Sequence, residues 1–180
     1  SFNFTNSMRV KNISNQFLRA IENKNRIWLD LTNNNGFFGQ MMIAYMPIAT
    51  SEVDAAIDGR FFNDSQTALT SLINNEEFSI QGRALPFENT DNVALGFKSE
   101  IADNYTISIN HLDGLFEETS QEIYLKDNLT NSLHDLRNSN YDVYTEAGIY
   151  NSRFELVYQN SILNTSSNER APSEDLTRME

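Results

Sequence analysis

The feature that most limits what this chain can fold into is a repeated alternation of apolar and polar residues over short stretches. Each stretch is stopped by a turn rich in asparagine or glycine. A period of two puts every second side chain on one face, which is the geometry of a half-buried β-strand. In residues 104–110, Tyr105, Ile107 and Ile109 face in while Thr106, Ser108 and Asn110 face out. Residues 26–31 do the same with Ile27, Leu29 and Leu31, and residues 153–158 with Phe154, Leu156 and Tyr158. Further strands are expected over 38–45, 77–81, 94–98, 122–126 and 141–145, with 17–21 a further candidate.

The breaks between strands have turn chemistry. Asn35-Gly36 and Asp113-Gly114 are hairpin or turn pairs, joined by Asp58-Gly59 and Ala147-Gly148. Asparagine tolerates left-handed backbone and bonds its own main chain, so the clusters at 33–35 and 138–140 also mark turns. Residues 65–74 are the one helix candidate, because Gln66, Leu69, Leu72 and Ile73 have helical spacing. About nine short strands with regular turns predict an all-β fold, a two-sheet antiparallel sandwich of jelly-roll type with at most one short helix. Residues 1–15 read as a linker or edge strand, 16–164 as the sandwich, and 165–180 as an acidic tail without apolar periodicity.

Composition narrows the chemistry. A formal net charge of −12 repels phosphate backbones and anionic lipid, so nucleic acid and membrane surfaces are disfavoured as partners. The same charge is compatible with divalent cations. The absence of cysteine excludes disulfides, thiolate catalysis and cysteine–zinc sites. No apolar run approaches the roughly 18 residues of a membrane span. No signal peptide is visible and Ser1 opens in mid-sequence, so a processed product or an excised piece is expected. Asn-X-Ser/Thr triplets, as at Asn12, Asn104 and Asn128, follow from the abundance of these residues and are not read as glycosylation sites.

Few residue sets could carry a reaction. His111 and His134 are the only histidines, and no Gly-X-Ser-X-Gly elbow accompanies them, so both read as strand-end or turn residues. Glu76-Glu77 and Glu117-Glu118 are adjacent carboxylates. Neighbours along a strand point apart, so they read as solvated faces rather than a glycosidase pair. Asp54, Asp58 and Asp64 are the best candidates for a calcium site, against the plainer reading of turn-forming aspartates. Trp28, Tyr45, Tyr124 and Tyr144 are candidates for stacking on sugar, against the plainer reading of core aromatics.

The segment Ile80-Gln81-Gly82-Arg83-Ala84-Leu85-Pro86-Phe87 resembles one found in large secreted proteins of the Bacteroidetes. In those proteins a β-sandwich region precedes the C-terminal sorting domain of the type IX secretion system. The resemblance takes in Arg26-Ile27-Trp28-Leu29, Asp58-Gly59, Leu95-Gly96, Asp113-Gly114-Leu115 and Tyr124-Leu125-Lys126-Asp127. It continues through His134-Asp135-Leu136, Tyr141, Glu146-Ala147-Gly148 and Arg153-Phe154. It implies export across the outer membrane to the cell surface or medium, in a setting that includes adhesins, and it implies no catalytic residues. Two departures stand out. An acidic tail follows Asn164 where the sorting domain is expected, and Ser152 stands where the family tends to have aspartate. Among the motif residues, Arg83 is expected to pair with a carboxylate such as Asp91 or Asp127, and Arg153 to do likewise. Gly82 and Gly148 are expected at close packing or positive φ.

The reading that follows is a non-catalytic accessory or adhesive module of a secreted or surface protein, acting through protein contacts and needing no cofactor. The alternative is a carbohydrate-binding module with aromatic stacking and a structural calcium. A glycoside hydrolase fragment is the third reading.

Overall fold

The computed structural model describes residues 24–62, 65–118 and 120–160. Twelve strands run in the order β1 (Asn25–Asn33), β2 (Phe38–Met46), β3 (Gly59–Arg60), β4 (Ala68–Ile73), β5 (Glu76–Ala84) and β6 (Asn92–Ser99). There follow β7 (Asp103–Asp113), β8 (Tyr124–Asp127), β9 (Ser132–Asp135), β10 (Tyr141–Thr145), β11 (Gly148–Ile149) and β12 (Phe154–Val157). The only helical piece among the described residues is a short 3-10 turn, Gly114–Phe116.

All twelve strands belong to one sheet, ordered β10-β7-β1-β2-β5-β4-β6-β12-β8-β9, with β11 on β6 and β3 on β5. Its two end strands, β9 and β10, are consecutive in the chain. The sheet therefore curls until its ends approach, giving a nearly closed, barrel-like sheet. Side chains bridge the seam: the His134 ring of β9 lies 5.2 Å from that of Tyr141 in β10. The Tyr141 hydroxyl donates to Asp127 at the end of β8 over 2.9 Å.

This differs from the expected sandwich, for a physical reason. Alternation reports which side chains face a core and is the same in a sandwich and in a barrel. The inward set is as read: Ile27, Leu29, Leu31, Tyr105, Ile107, Phe154, Leu156 and Tyr158 are all buried in one cluster. That cluster also holds Met41, Ile43, Leu95, Phe97 and Leu125. What alternation does not report is that β5 pairs with β2 in parallel along 80–84 and with β4 antiparallel along 76–78, welding both halves into one sheet.

The strand count differs because β3 and β11 are only two residues long and β9 carries a single apolar residue, Leu133, so none of them shows a period. β4 replaces the expected helix at 65–74. It pairs with β5 on one edge and β6 on the other, and almost all of it is buried. With both faces covered, no alternation is left to read, and a short apolar run is ambiguous between helix and strand. The strand candidate at 17–21 lies outside the described residues.

Turn residues act as their chemistry predicts. Gly36 has φ +86° in the β1–β2 hairpin, and the Asn33 side chain accepts from the Asn35 and Phe37 amides at 3.1 and 2.8 Å. Gly82 is a close-approach glycine: a Cβ there would collide with Ile57 and crowd Ala49, in the crossover between β2 and β4.

Candidate functional site

An interlocked set of polar and aromatic side chains lies on the outside of the barrel, where β1 runs between β7 and β2. Its origin is a β-bulge. Trp28 pairs with His111, but the next residue, Leu29, pairs with Ile109, leaving Asn110 as an extra residue in β7. A strict period of two would put His111 on the inward face of Ile107 and Ile109. The bulge turns it outward beside Trp28, and after it Leu112 opposes Ile27 and Asp113 opposes Arg26.

Four side chains then interlock. The Arg26 guanidinium donates through Nε to Asp113 over 2.7 Å, with Nη2 on the same oxygen. It also lies 4.4 Å over the Trp28 ring, a cation–π arrangement. His111 Nε2 is 2.8 Å from the other Asp113 oxygen, and its ring leans on Trp28 at 5.0 Å between centroids. Burial pushes the Asp113 carboxyl up, but the hydrogen bonds from Arg26 and His111 outweigh it and hold it below its ordinary range. One row along, Asp30 is buried and accepts from Gln40 of β2 at 2.8 Å and from Asn110 of the bulge at 2.7 Å. These carboxylates are held by donors on neighbouring strands. The array offers planar polar edges and a half-buried indole rim on the outward face of the sheet, a composition suited to recognition.

The expected stacking residues are not brought into one row. Trp28 is half-buried, with Arg26 already over its ring. Tyr45 corrects an expectation of exposure: it faces inward, is 3% exposed, and its hydroxyl donates to Asp91 at 2.7 Å. Burial, with the Tyr158 hydroxyl and Asp91 beside it, raises its pKa far above the ordinary phenol range. Tyr124 lies half-buried on β8 and Tyr144 exposed on β10, with their hydroxyls donating to Glu122 and Glu146 at 3.0 and 3.2 Å.

The aspartates proposed for calcium hold their own loop. Asp54 accepts from the Thr50 amide at 2.6 Å and the Thr50 hydroxyl at 3.0 Å. Asp58 accepts from the Asp54 amide at 2.6 Å and the Gly82 amide at 2.7 Å. Asp64 lies outside the described residues, and among those described no cluster of three or more metal-ligating side chains occurs. Glu76 and Glu77 turn to different cations, Arg60 and Lys98.

The motif arginines are structural. Arg83 pairs with Asp91 through Nε at 3.0 Å and through Nη2, next to the Tyr45 hydroxyl. Arg153 grips Asp127 with Nε on both oxygens at 3.1 Å and Nη2 at 2.8 Å. The separate pairs follow from topology: Asp91 precedes β6 beside the end of β5, and Asp127 ends β8 beside β12.

Sequence reading singled out Trp28 as a candidate but did not join it to Arg26 and Asp113 or find the neighbouring Asp30–Asn110 bond, and it set His111 aside as a strand-end residue. A signal was present. Inward residues at Ile107, Ile109 and Leu112 are spaced by two and then three, and Asn110-His111 puts two polar residues in succession where the period slips.

These features define an all-β domain on a single, nearly closed barrel-like sheet, with an interlocked polar and aromatic patch outside the barrel. The chain belongs to the DUF8693 family, a domain of unknown function whose family model matches residues 1–158. No curated protein and no solved structure matches it.

Proposed function

We propose that this chain is a non-catalytic accessory or adhesive module that acts through protein contacts, with the outer face of β7, β1 and β2 as its contact surface. The observation that carries the reading is the interlocked set Arg26, Trp28, His111 and Asp113 on the outward face of the sheet, half-buried except for the exposed His111. Tryptophan and arginine are enriched among the few interface residues that carry most of the binding energy, those costing about 2 kcal/mol or more when truncated. Here both are pre-positioned, so little side-chain freedom is lost on binding. The secreted or surface setting, with type IX export, rests on the sequence resemblance.

The carbohydrate reading is less favoured, because Arg26 and His111 occupy positions around the indole that a sugar ring would need. Two measurements separate the readings. A photo-crosslinker replacing Ser108, an outward residue of β7, is expected to capture protein on the producing cells, with capture lost in Trp28→Ala. A glycan array probed with the purified chain, in calcium and again in EDTA, is expected to stay blank. Reproducible glycan binding abolished by Trp28→Ala would replace this reading with the carbohydrate one.

A further inference from the structure

We infer that Asn35 is a site of spontaneous covalent modification, where the side-chain amide is lost to the neighbouring backbone nitrogen and a donor facing Asp103 becomes a carboxylate. The site stands apart from the contact face proposed above.

An asparagine reacts in this way when the next backbone nitrogen reaches its side-chain carbonyl carbon, and a side chain on that next residue hinders the approach. Asn35 is the only asparagine in the chain followed by glycine. Asn34, Asn35 and Gly36 are all exposed. Beyond its chain neighbours, nothing lies within 4 Å of where a Cβ on Gly36 would stand. Two contacts have to release first. The Gly36 amide donates to the Asn33 carbonyl at 3.3 Å, and Asn35 Nδ2 donates to Asp103 at 2.8 Å. Both lie at the surface, where water replaces a lost hydrogen bond at small net cost.

The two Asp-Gly turns are closed to this chemistry, because a carboxylate has no leaving group until it is protonated. Burial raises the Asp113 carboxyl, but the bonds from Arg26 and His111 outweigh burial and hold it below its ordinary range, so its neutral form is scarce. Asp58 is held by the Asp54 and Gly82 amides at 2.6 and 2.7 Å.

The Gly36 nitrogen gives up its proton and bonds to Cγ of Asn35. The Cγ–Nδ2 bond breaks, and ammonia leaves carrying that proton. Water then opens the cyclic imide at either carbonyl, to an aspartyl or an isoaspartyl residue. The aspartyl product sets a carboxylate against Asp103, where like charges repel. The isoaspartyl product lengthens the main chain at a turn whose Asn35, Gly36 and Phe37 amides are all held by Asn33. Both products untie the β1–β2 hairpin from the first residue of β7.

The test is peptide mass spectrometry on the purified chain held in mildly alkaline buffer, which favours loss of the amide proton. Position 35 is expected to convert ahead of every other asparagine. Asp103→Ala, which removes the tether, is expected to convert there about threefold faster, a factor within the range of one net hydrogen bond. Asn35→Asp carries the aspartyl product from the start, and at low salt it is expected to melt about 2 °C below the parent. Adding Asp103→Asn to that variant restores a donor and an acceptor across the contact and is expected to recover most of the loss. Faster conversion at another asparagine overturns the site. So does an unchanged position 35 in the folded protein while the urea-unfolded chain converts there. An unchanged rate in Asp103→Ala overturns the tether as the restraint, and Asn35→Asp melting with the parent overturns the effect on the hairpin.

Discussion

Asp127 is fully buried and, among the described residues, is held by a dense set of donors. It accepts from Arg153, from the Tyr141 hydroxyl and from the Leu129 and Thr130 amides. Burial alone would raise its carboxyl, but these donors outweigh burial and hold it below the ordinary range. A carboxyl depressed by folding stabilises fully above its unfolded pKa of about 4, and that stabilisation is lost as pH falls through the folded value. Asp127→Asn leaves Arg153 buried without its counter-charge, which costs about 3–5 kcal/mol near neutral pH. Urea melts of both proteins from pH 7 downward are expected to show that gap narrowing below about pH 4. A gap that stays constant with pH would mean the carboxylate charge contributes nothing.

Elements owe their shape to a few residues at their ends. Asn74 and Asn75 link β4 to β5 with φ of 52° and 66°, the paired left-handed geometry of a tight hairpin. Alanine at either position is expected to destabilise by about 1 kcal/mol, while Asn75→Gly should be neutral, as thermal melts can check. The bulge in β7 is the second such device. Deleting Asn110 puts His111 straight after Ile109 in strict alternation, so His111 stays outward opposite Trp28 and the indole resonance should stay in place. The deletion and Asn110→Ala both lose the bond to Asp30, so a loss of about 0.5–1.5 kcal/mol is expected of each in thermal melts. A shifted indole resonance in the deletion would mean that the register of β7 beyond the bulge moves with it.

At the scale of the whole molecule, the seam between β9 and β10 closes the barrel through the side chains of His134, Tyr141 and Asp127, without pairing between the two strands. A seam held by side chains opens more readily than a hydrogen-bonded ladder. Tyr141→Phe removes the hydroxyl bond to a charged acceptor, with an expected loss of about 1.5–3 kcal/mol. Amide exchange should accelerate in β9 and β10 while β1, β2 and β5 keep their protection. Uniform acceleration across the sheet would mean that the barrel opens only by global unfolding.

By itself, the sequence determined the all-β class, the inward set of the long strands, the hairpin at Asn35-Gly36 and the absence of any cysteine chemistry. Those properties are local, since each follows from side-chain order over a few residues. Strand order was decided only in the tertiary structure, because backbone hydrogen-bonding groups are the same in every strand and alternation carries no record of its neighbour. For that reason the parallel β2–β5 pairing, the doubly covered β4 and the closing seam were not legible, and a sandwich was expected where one sheet curls on itself. The candidate site was legible only in part. Trp28 and Arg26 could be placed on one face from the alternation of β1, but His111 and Asp113 meet them only because one extra residue in a strand more than eighty positions away reverses the facing of everything after it.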